Sequence, residues 1–188
     1  MFTCEQISKA TGIPVENIQQ SWPILEKLMN DKGWTNKNIH IAMIATVATE
    51  TNITVGNVKK GFLPINELGS DSYFETHYGY MTAIGKRLGN TAINDGAKYH
   101  GRGFIQTTGK ANYTLAGKRL GLDLVNNPDL ILEPTAAAKE AINYFESHHV
   151  DQAAICQDWV AVREKVNGGT NGWEYFKSVV DKLLAIKE

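Results

Sequence analysis

Between Lys37 and Glu50 lies a stretch that no surface helix can accommodate. Ile39, Ile41, Ala42, Met43, Ile44, Ala45, Val47 and Ala48 place apolar side chains nearly all round a helical wheel. A helix without a polar face must be enclosed by the rest of its domain, so the chain is expected to build around this one. Thr35 and Asn36 are cap candidates at its start. The run is interrupted by Thr46 and is too short to span a bilayer. Glu50 stands at the C-terminal end, where the buried helix meets a polar segment.

The remaining patterns are mostly helical. Gly12-Ile13-Pro14 reads as a turn, and Ser21-Trp22-Pro23 opens a helix carrying Ile24, Leu25, Leu28 and Met29, with Gly33 as its stop. Lys110 to Leu120 ends at Gly121, Pro134-Thr135 opens Ala136 to His148, and Trp159 to Val166 stops at Asn167-Gly168-Gly169. Trp173, Phe176, Val179, Val180, Leu183 and Leu184 form an i, i+3, i+4 stripe. Residues 51–108 are different, punctuated by nine glycines from Gly56 to Gly103 and by Pro64, with Asn and Asp between them. So long a connection is usually functional. Thr54-Val55 and Gly61-Phe62-Leu63 are expected to pair as a small hairpin, and Tyr73 to Leu88 to form short helical pieces. The class expected is mainly α, with a Gly-rich segment and at most a small β-hairpin.

The 188 residues suit one domain over 1–188, with 1–35 docked on a core of 36–188. A net charge of −1 exerts no general pull toward nucleic acid or membrane. Seven cationic residues (Lys86, Arg87, Lys98, Arg102, Lys110, Lys118, Arg119) against Asp95 alone form a local basic stripe, fit either for an anionic ligand or for a solvated face. Cys4 and Cys156 make no disulfide framework, and one exposed thiol and one core thiol are expected. The opening Met1-Phe2-Thr3-Cys4-Glu5-Gln6 lacks the basic and apolar regions of a signal peptide, so synthesis in a cytoplasm is expected. The histidines are scattered, with His148 and His149 adjacent rather than one helical turn apart. No metal or other cofactor is expected, and a Cys–His or metal-dependent amidase is disfavoured. Trp22, Trp159 and Trp173 fall on apolar helical patterns and are expected in the core.

Two carboxyl groups on opposite sides of a bond are what glycoside hydrolysis requires. A carboxyl at the edge of a core is partly desolvated, which suits it to proton donation, although the last turn of a helix also holds ordinary exposed glutamates. Glu50 fits either description. Glu67, Asp71 and Glu75 are its candidate partners in the irregular segment, and spacing alone does not choose among them.

The run Tyr99-His100-Gly101-Arg102-Gly103-Phe104-Ile105-Gln106-Thr107-Thr108-Gly109-Lys110-Ala111-Asn112-Tyr113 closely resembles the signature of family-19 glycoside hydrolases, the chitinases and the phage endolysins similar to them. Ala48-Thr49-Glu50-Thr51, Asn127-Pro128-Asp129-Leu130 and Val166-Asn167-Gly168-Gly169 resemble further pieces of the same family in the same order, from about residue 38 to 170. The resemblance implies a two-lobed, lysozyme-like α+β fold. It implies Glu50 as general acid, Glu67 as general base and Thr108 as a hydroxyl that helps hold the attacking water, with Glu75 as the alternative base. It also implies Tyr99, His100, Arg102, Gln106, Asn112, Tyr113 and Asn167 along the sugar groove, with Arg102 as much structural as ligand-binding. Thr49 stands where many chitinases have His, and the cysteines of plant chitinases are absent.

The expected chemistry is an inverting single displacement on β-1,4-linked amino sugars, with carboxyl groups ~6.5–9.5 Å apart. The compact chain and the Leu88-Gly89-Asn90-Thr91 and Asp95-Gly96 pieces look more like the endolysins. The expectation is therefore a monomeric peptidoglycan hydrolase that lyses its bacterial host, held in the host cytoplasm until it reaches the wall. Its partners would be peptidoglycan glycan strands, with no nucleic acid and no membrane insertion. The alternatives are a chitinase acting on GlcNAc polymers and a wall-binding module without catalysis.

Overall fold

Helix α3 (Lys37–Glu50) forms where its apolar run predicts, and every residue from Ile39 to Ala48 is buried. Asn36 caps it by accepting from the Asn38 N–H at 2.9 Å. A computed structural model describes residues 2–187. Along the chain follow α1 (Cys4–Thr11), α2 (Val15–Asp31), α3, strands β1 (Thr54–Val55), β2 (Val58–Lys59) and β3 (Ile65–Asn66), then α4 (Asp71–Tyr78), α5 (Ala83–Arg87) and α6 (Asp95–Lys98). Strand β4 (Arg102–Gly103), α7 (Lys110–Leu120), a 3-10 turn (Pro128–Leu132), α8 (Pro134–Ser147), α9 (Val150–Ile155), α10 (Trp159–Asn167) and α11 (Trp173–Leu184) complete it. Two compact units result, one of Met1–Leu63 with Ala141–Glu188 and one of Pro64–Glu140. This mainly helical, two-lobed architecture is the class the sequence suggests. No helix among the described residues is long and apolar enough to cross a membrane.

In the first unit α3 packs against α1, α9, α10 and α11. The stripe of α11 buries Phe176, Val179, Val180 and Leu183, leaving Leu184 partly exposed. Helix α2 starts six residues earlier than the Ser21-Trp22-Pro23 signal suggests, and Pro23 lies inside it. Burial of Ile18, Trp22, Leu25 and Met29 on one face outweighs the ~3 kcal/mol that an internal proline costs. Trp22 also donates from its indole to the Phe2 carbonyl at 3.0 Å. Three helices escaped the sequence reading. Two are α9 and the single turn α6; the third is α1, which carries a capping box in which Thr3 and Gln6 satisfy each other's backbone N–H. Both cysteines are free, but Cys156 is exposed rather than in the core and Cys4 is half-buried.

The hairpin is also corrected: Thr54–Val55 pairs with Val58–Lys59, not with the segment at Gly61. Phe62 is fully buried with φ +67°, a left-handed conformation that a strand excludes. A second antiparallel pair joins Ile65–Asn66 to Arg102–Gly103 in the second unit. Tyr73 to Leu88 forms the short helical pieces expected, as α4 and α5. There α4 packs on α6, and Tyr99, Tyr113, Ala116, Leu124 and Ile131 make a small core.

Candidate active site

Glu50 is the last residue of α3, and its position is fixed by Thr51 behind it. The Thr51 N–H and hydroxyl both reach the Val47 carbonyl, while the hydroxyl oxygen accepts from the Phe62 N–H at 2.7 Å. The Glu50 side chain is only 12% exposed and forms an ion pair with Arg163 of α10, itself 3% exposed. Arg163 is held in turn by its Nε, which donates to the Asn171 carbonyl at 2.7 Å. The sequence reading overlooked Arg163, yet a signal was there. Arg163 falls four residues after Trp159 and next to Val162, on the buried face of α10. An arginine on such a face needs an anion.

Glu67 is organised within the second unit. Its N–H donates to the Gly101 carbonyl at 2.8 Å, extending the pairing of β3 with β4, and the Gly101 N–H returns to Glu67 Oε2 at 3.0 Å. Tyr78, at the end of α4, donates its hydroxyl to Oε1 at 2.8 Å. Side chains crowd Gly101: a Cβ there would stand 2.9 Å from Gln106 Oε1, 3.1 Å from Glu67 Oε2 and 3.2 Å from Thr108 Oγ1, and would displace them. Three of the residues singled out from the sequence therefore converge around one backbone position.

Their donors are already committed. Gln106, at φ +53°, gives its Nε2 hydrogens to the carbonyls of Ile65 (3.2 Å) and Gly103 (3.1 Å), which fixes the orientation of its amide. The Thr108 hydroxyl donates to the Gln106 carbonyl at 2.8 Å. What remains around Gly101 is a set of acceptor oxygens, suited to a water, a hydroxyl or an amide N–H entering as donor.

Other members of the signature are structural. Tyr99 and Tyr113 were expected to touch sugar, but both are buried in the small core. Tyr99 donates to the Val125 carbonyl at 3.0 Å and Tyr113 to the His100 carbonyl at 2.9 Å, and burial pushes the Tyr113 phenol up to about 12. Arg102 is buried too, donating to Asp129 at 2.7 Å and to the Lys98 and His100 carbonyls, so its role is to tie the turn at Asp129 to β4. His100 is half-buried, stacked on Phe74 with ring centres 4.3 Å apart; burial pulls its imidazole below the ordinary value. Asn112 is exposed and binds the Thr108 carbonyl at 2.8 Å. In the first unit, Asn167 is exposed at the end of α10.

Glu75 is occupied elsewhere. Its Oε1 accepts from the Ala97 N–H at 2.7 Å in the first turn of α6, the position of an anionic helix cap. The basic stripe has local explanations as well. Lys86 and Arg87 close α5, and Lys118 and Arg119 close α7, where helix dipoles favour cations. Lys110 pairs with the buried Asp95 at 3.2 Å. Among the described residues no three His, Cys, Asp or Glu side chains gather as metal ligands would.

Residues 30–167 match the family model of glycoside hydrolase family 19, described as chitinase class I. Chitinase 11 of Oryza sativa subsp. japonica is 62% identical over 45 residues, 23% of this chain and 18% of the relative. Chitinase 8 of the same plant is 44% identical over 95 residues, 50% of this chain and 34% of the relative. The chain thus spans between 18% and 34% of these relatives' own length. Among solved structures, a bacterial family 19 chitinase superposes with a TM-score of 0.67 at 18% identity, over 97% of this chain and 94% of that one. Chitinase C from Streptomyces griseus gives 0.58 at 20% identity, over 95% and 72%. At such identities the likeness is one of fold.

Proposed function

This chain belongs to glycoside hydrolase family 19, the class I chitinases, and on that premise we propose that it hydrolyses β-1,4 bonds between N-acetylated amino sugars with inversion at the anomeric carbon. Glu50 protonates the glycosidic oxygen as it leaves. Glu67 removes a proton from a water that attacks the anomeric carbon from the other face, and Thr108 helps to hold that water. One bond to carbon breaks and one forms, and the two carboxyl groups exchange protonation states in each turnover. The observation that carries this reading is the acceptor cluster around Gly101. Glu67 Oε2, Gln106 Oε1 and Thr108 Oγ1 lie together beside Gly101, with the Gln106 and Thr108 donors spent, so a water entering beside them would be oriented by its hydrogens and keep its lone pair for attack. Glu67 rather than Glu75 is taken as the base because it shares the cluster beside Gly101 with Gln106 and Thr108, whereas Glu75 accepts from the Ala97 N–H at the start of α6.

A chitin-type polymer of GlcNAc is the substrate this reading favours, since the relatives that match are chitinases by name. Peptidoglycan, and with it the role of a phage endolysin freed from its host's cytoplasm, is the second reading. It rests on the exposed cations Lys86, Arg87 and Lys118, which would suit the carboxylates of wall peptides. Incubating the chain with soluble chitin oligomers and, in parallel, with purified sacculi separates the two, with mass spectrometry of the released fragments. Chitin fragments without sacculus cleavage support the first reading; sacculus fragments alone support the second. Following the fresh reducing ends by NMR tests the stereochemistry: α-anomers are expected, and β-anomers would overturn the inverting assignment. Binding to either polymer with no new reducing ends would make the chain a recognition module instead.

A further inference from the structure

Glu67 is addressed by a donor on each oxygen, and both donors trace back to one aromatic stack. Tyr78 donates to Oε1 and the Gly101 N–H to Oε2. The Tyr78 ring lies parallel to Phe74, 13° between planes and 6.3 Å between centres, and Phe74 stacks on His100 at 4.3 Å and 8°. His100 immediately precedes Gly101 and is pinned by its Nδ1, 2.6 Å from the Ala97 carbonyl. The end of α4 that bears Tyr78 is fixed as well. The buried Asn90 donates to the Tyr78 carbonyl at 2.6 Å and accepts from the Lys110 N–H at 2.8 Å, joining α4 to the start of α7. Close approach does the rest: a Cβ on Gly96 would lie 2.8 Å from both the Phe74 carbonyl oxygen and the Gly79 nitrogen.

We propose that Tyr78 is a positioning residue for the reaction, one that acts through Glu67. Its hydroxyl and the Gly101 N–H, both set by the Tyr78–Phe74–His100 stack, clamp the Glu67 carboxylate in one orientation. The inference rests on Glu67 being the base. A carboxylate at the end of a flexible side chain loses rotamer freedom when ordered, and a base that is already ordered does not incur that cost in the transition state. Tyr78 itself is no proton donor in the reaction. Burial, with the hydrogen bond to Glu67 and that carboxylate's charge, holds its phenol well above the ordinary value, so it stays protonated and keeps donating.

The test has two arms on the full chain. In the first, Tyr78→Phe keeps the ring in the stack and removes only the hydroxyl. Turnover of chitin oligomers is expected to fall about tenfold in kcat with KM unchanged. In the second, tyrosine is labelled with 13C at Cζ and the Tyr78 signal, identified by its loss in Tyr78→Phe, is followed by NMR at neutral pH. Glu67→Gln replaces the charged acceptor of the Tyr78 hydroxyl by a neutral one and is expected to shift that signal, whether or not the protein cleaves any glycan. Full kcat in a folded Tyr78→Phe protein would overturn the proposal. So would a Tyr78 signal that ignores Glu67→Gln. A wild-type chain that cleaves neither glycan while the signal responds would instead remove the proposed function and leave the clamp as a structural contact.

Discussion

Glu50 and Arg163 form an ion pair across 113 residues of sequence, with the guanidinium almost fully buried and the carboxylate nearly so. Desolvating both charges makes such a pair a weak source of net stability, but removing one partner leaves the other uncompensated. Arg163→Met is therefore expected to cost about 3 kcal/mol in urea unfolding. Glu50→Gln keeps an acceptor but leaves the buried guanidinium's charge uncompensated, so it is expected to cost a similar amount, and to abolish glycan hydrolysis because the amide cannot serve as the proton donor. Two variants as stable as wild type would show that the pair does not hold this corner of the first unit together.

Two nearby glutamates divide labour between chemistry and architecture. Glu67→Gln is expected to lower kcat on chitin oligomers by ~10²–10⁴ with little change in Tm. Glu75→Gln loses the charge at the start of α6, where its carboxylate accepts from the Ala97 N–H. It should cost roughly 1 kcal/mol of stability and leave kcat within about threefold. Reversal of these two patterns, measured by thermal unfolding and by initial rates, would make Glu75 the base.

What the sequence discloses here depends on how local the cause is. The all-round apolar face of α3, its Asn36 cap and the glycine stops at Gly121 and Gly168 are decided within a few residues, and each is where the pattern puts it. The start of α2 misleads because Ser21-Trp22-Pro23 imitates a helix opening, while the deciding burial of Ile18 and Leu25 depends on tertiary packing. Pairing of Ile65–Asn66 with Arg102–Gly103 is non-local and left no periodic trace. The signature from Tyr99 to Tyr113 marked the right segment without sorting it. Gln106 and Thr108 gather at Gly101, whereas Tyr99 and Tyr113 hold the core beneath. Arg163 and Tyr78 were passed over because the glutamates that explain them lie far along the chain or on another element.

His40 lies wholly inside the first unit against Trp22, with its Nε2 2.7 Å from the Trp34 carbonyl and no partner at Nδ1 among the described residues. Burial pulls its imidazole below the ordinary 6.5. The unfolded chain therefore takes up the proton first. The stability that His40 contributes is complete above about pH 6.5 and is lost as pH falls toward the folded-state value. His40→Gln keeps a donor for the Trp34 carbonyl and removes the titration. The difference in unfolding free energy between wild type and variant should shrink on acidification below 6.5, and a difference independent of pH would refute the assignment.

Glu140 acts in the opposite sense. It is 5% exposed on α8, its Oε2 has no hydrogen-bond partner among the described residues, and burial raises its carboxyl from 4.5 to about 7 against the opposing pull of Arg119. The folded chain now holds the proton more tightly than the unfolded one. The linked stability is fully present below pH 4.5 and declines as pH rises through about 7, by an amount on the order of 3 kcal/mol. Because this loss overlaps the His40 gain, the wild-type curve alone does not separate them, and each variant has to be compared with wild type across pH. Glu140→Gln mimics the protonated carboxyl. It should match wild type near pH 4.5 and exceed it progressively toward pH 8, where the native protein must either bury a charge or give up its proton. A Glu140→Gln protein no more stable than wild type at pH 8 would mean that the carboxylate finds compensation once ionised, with Arg119 as the group able to provide it.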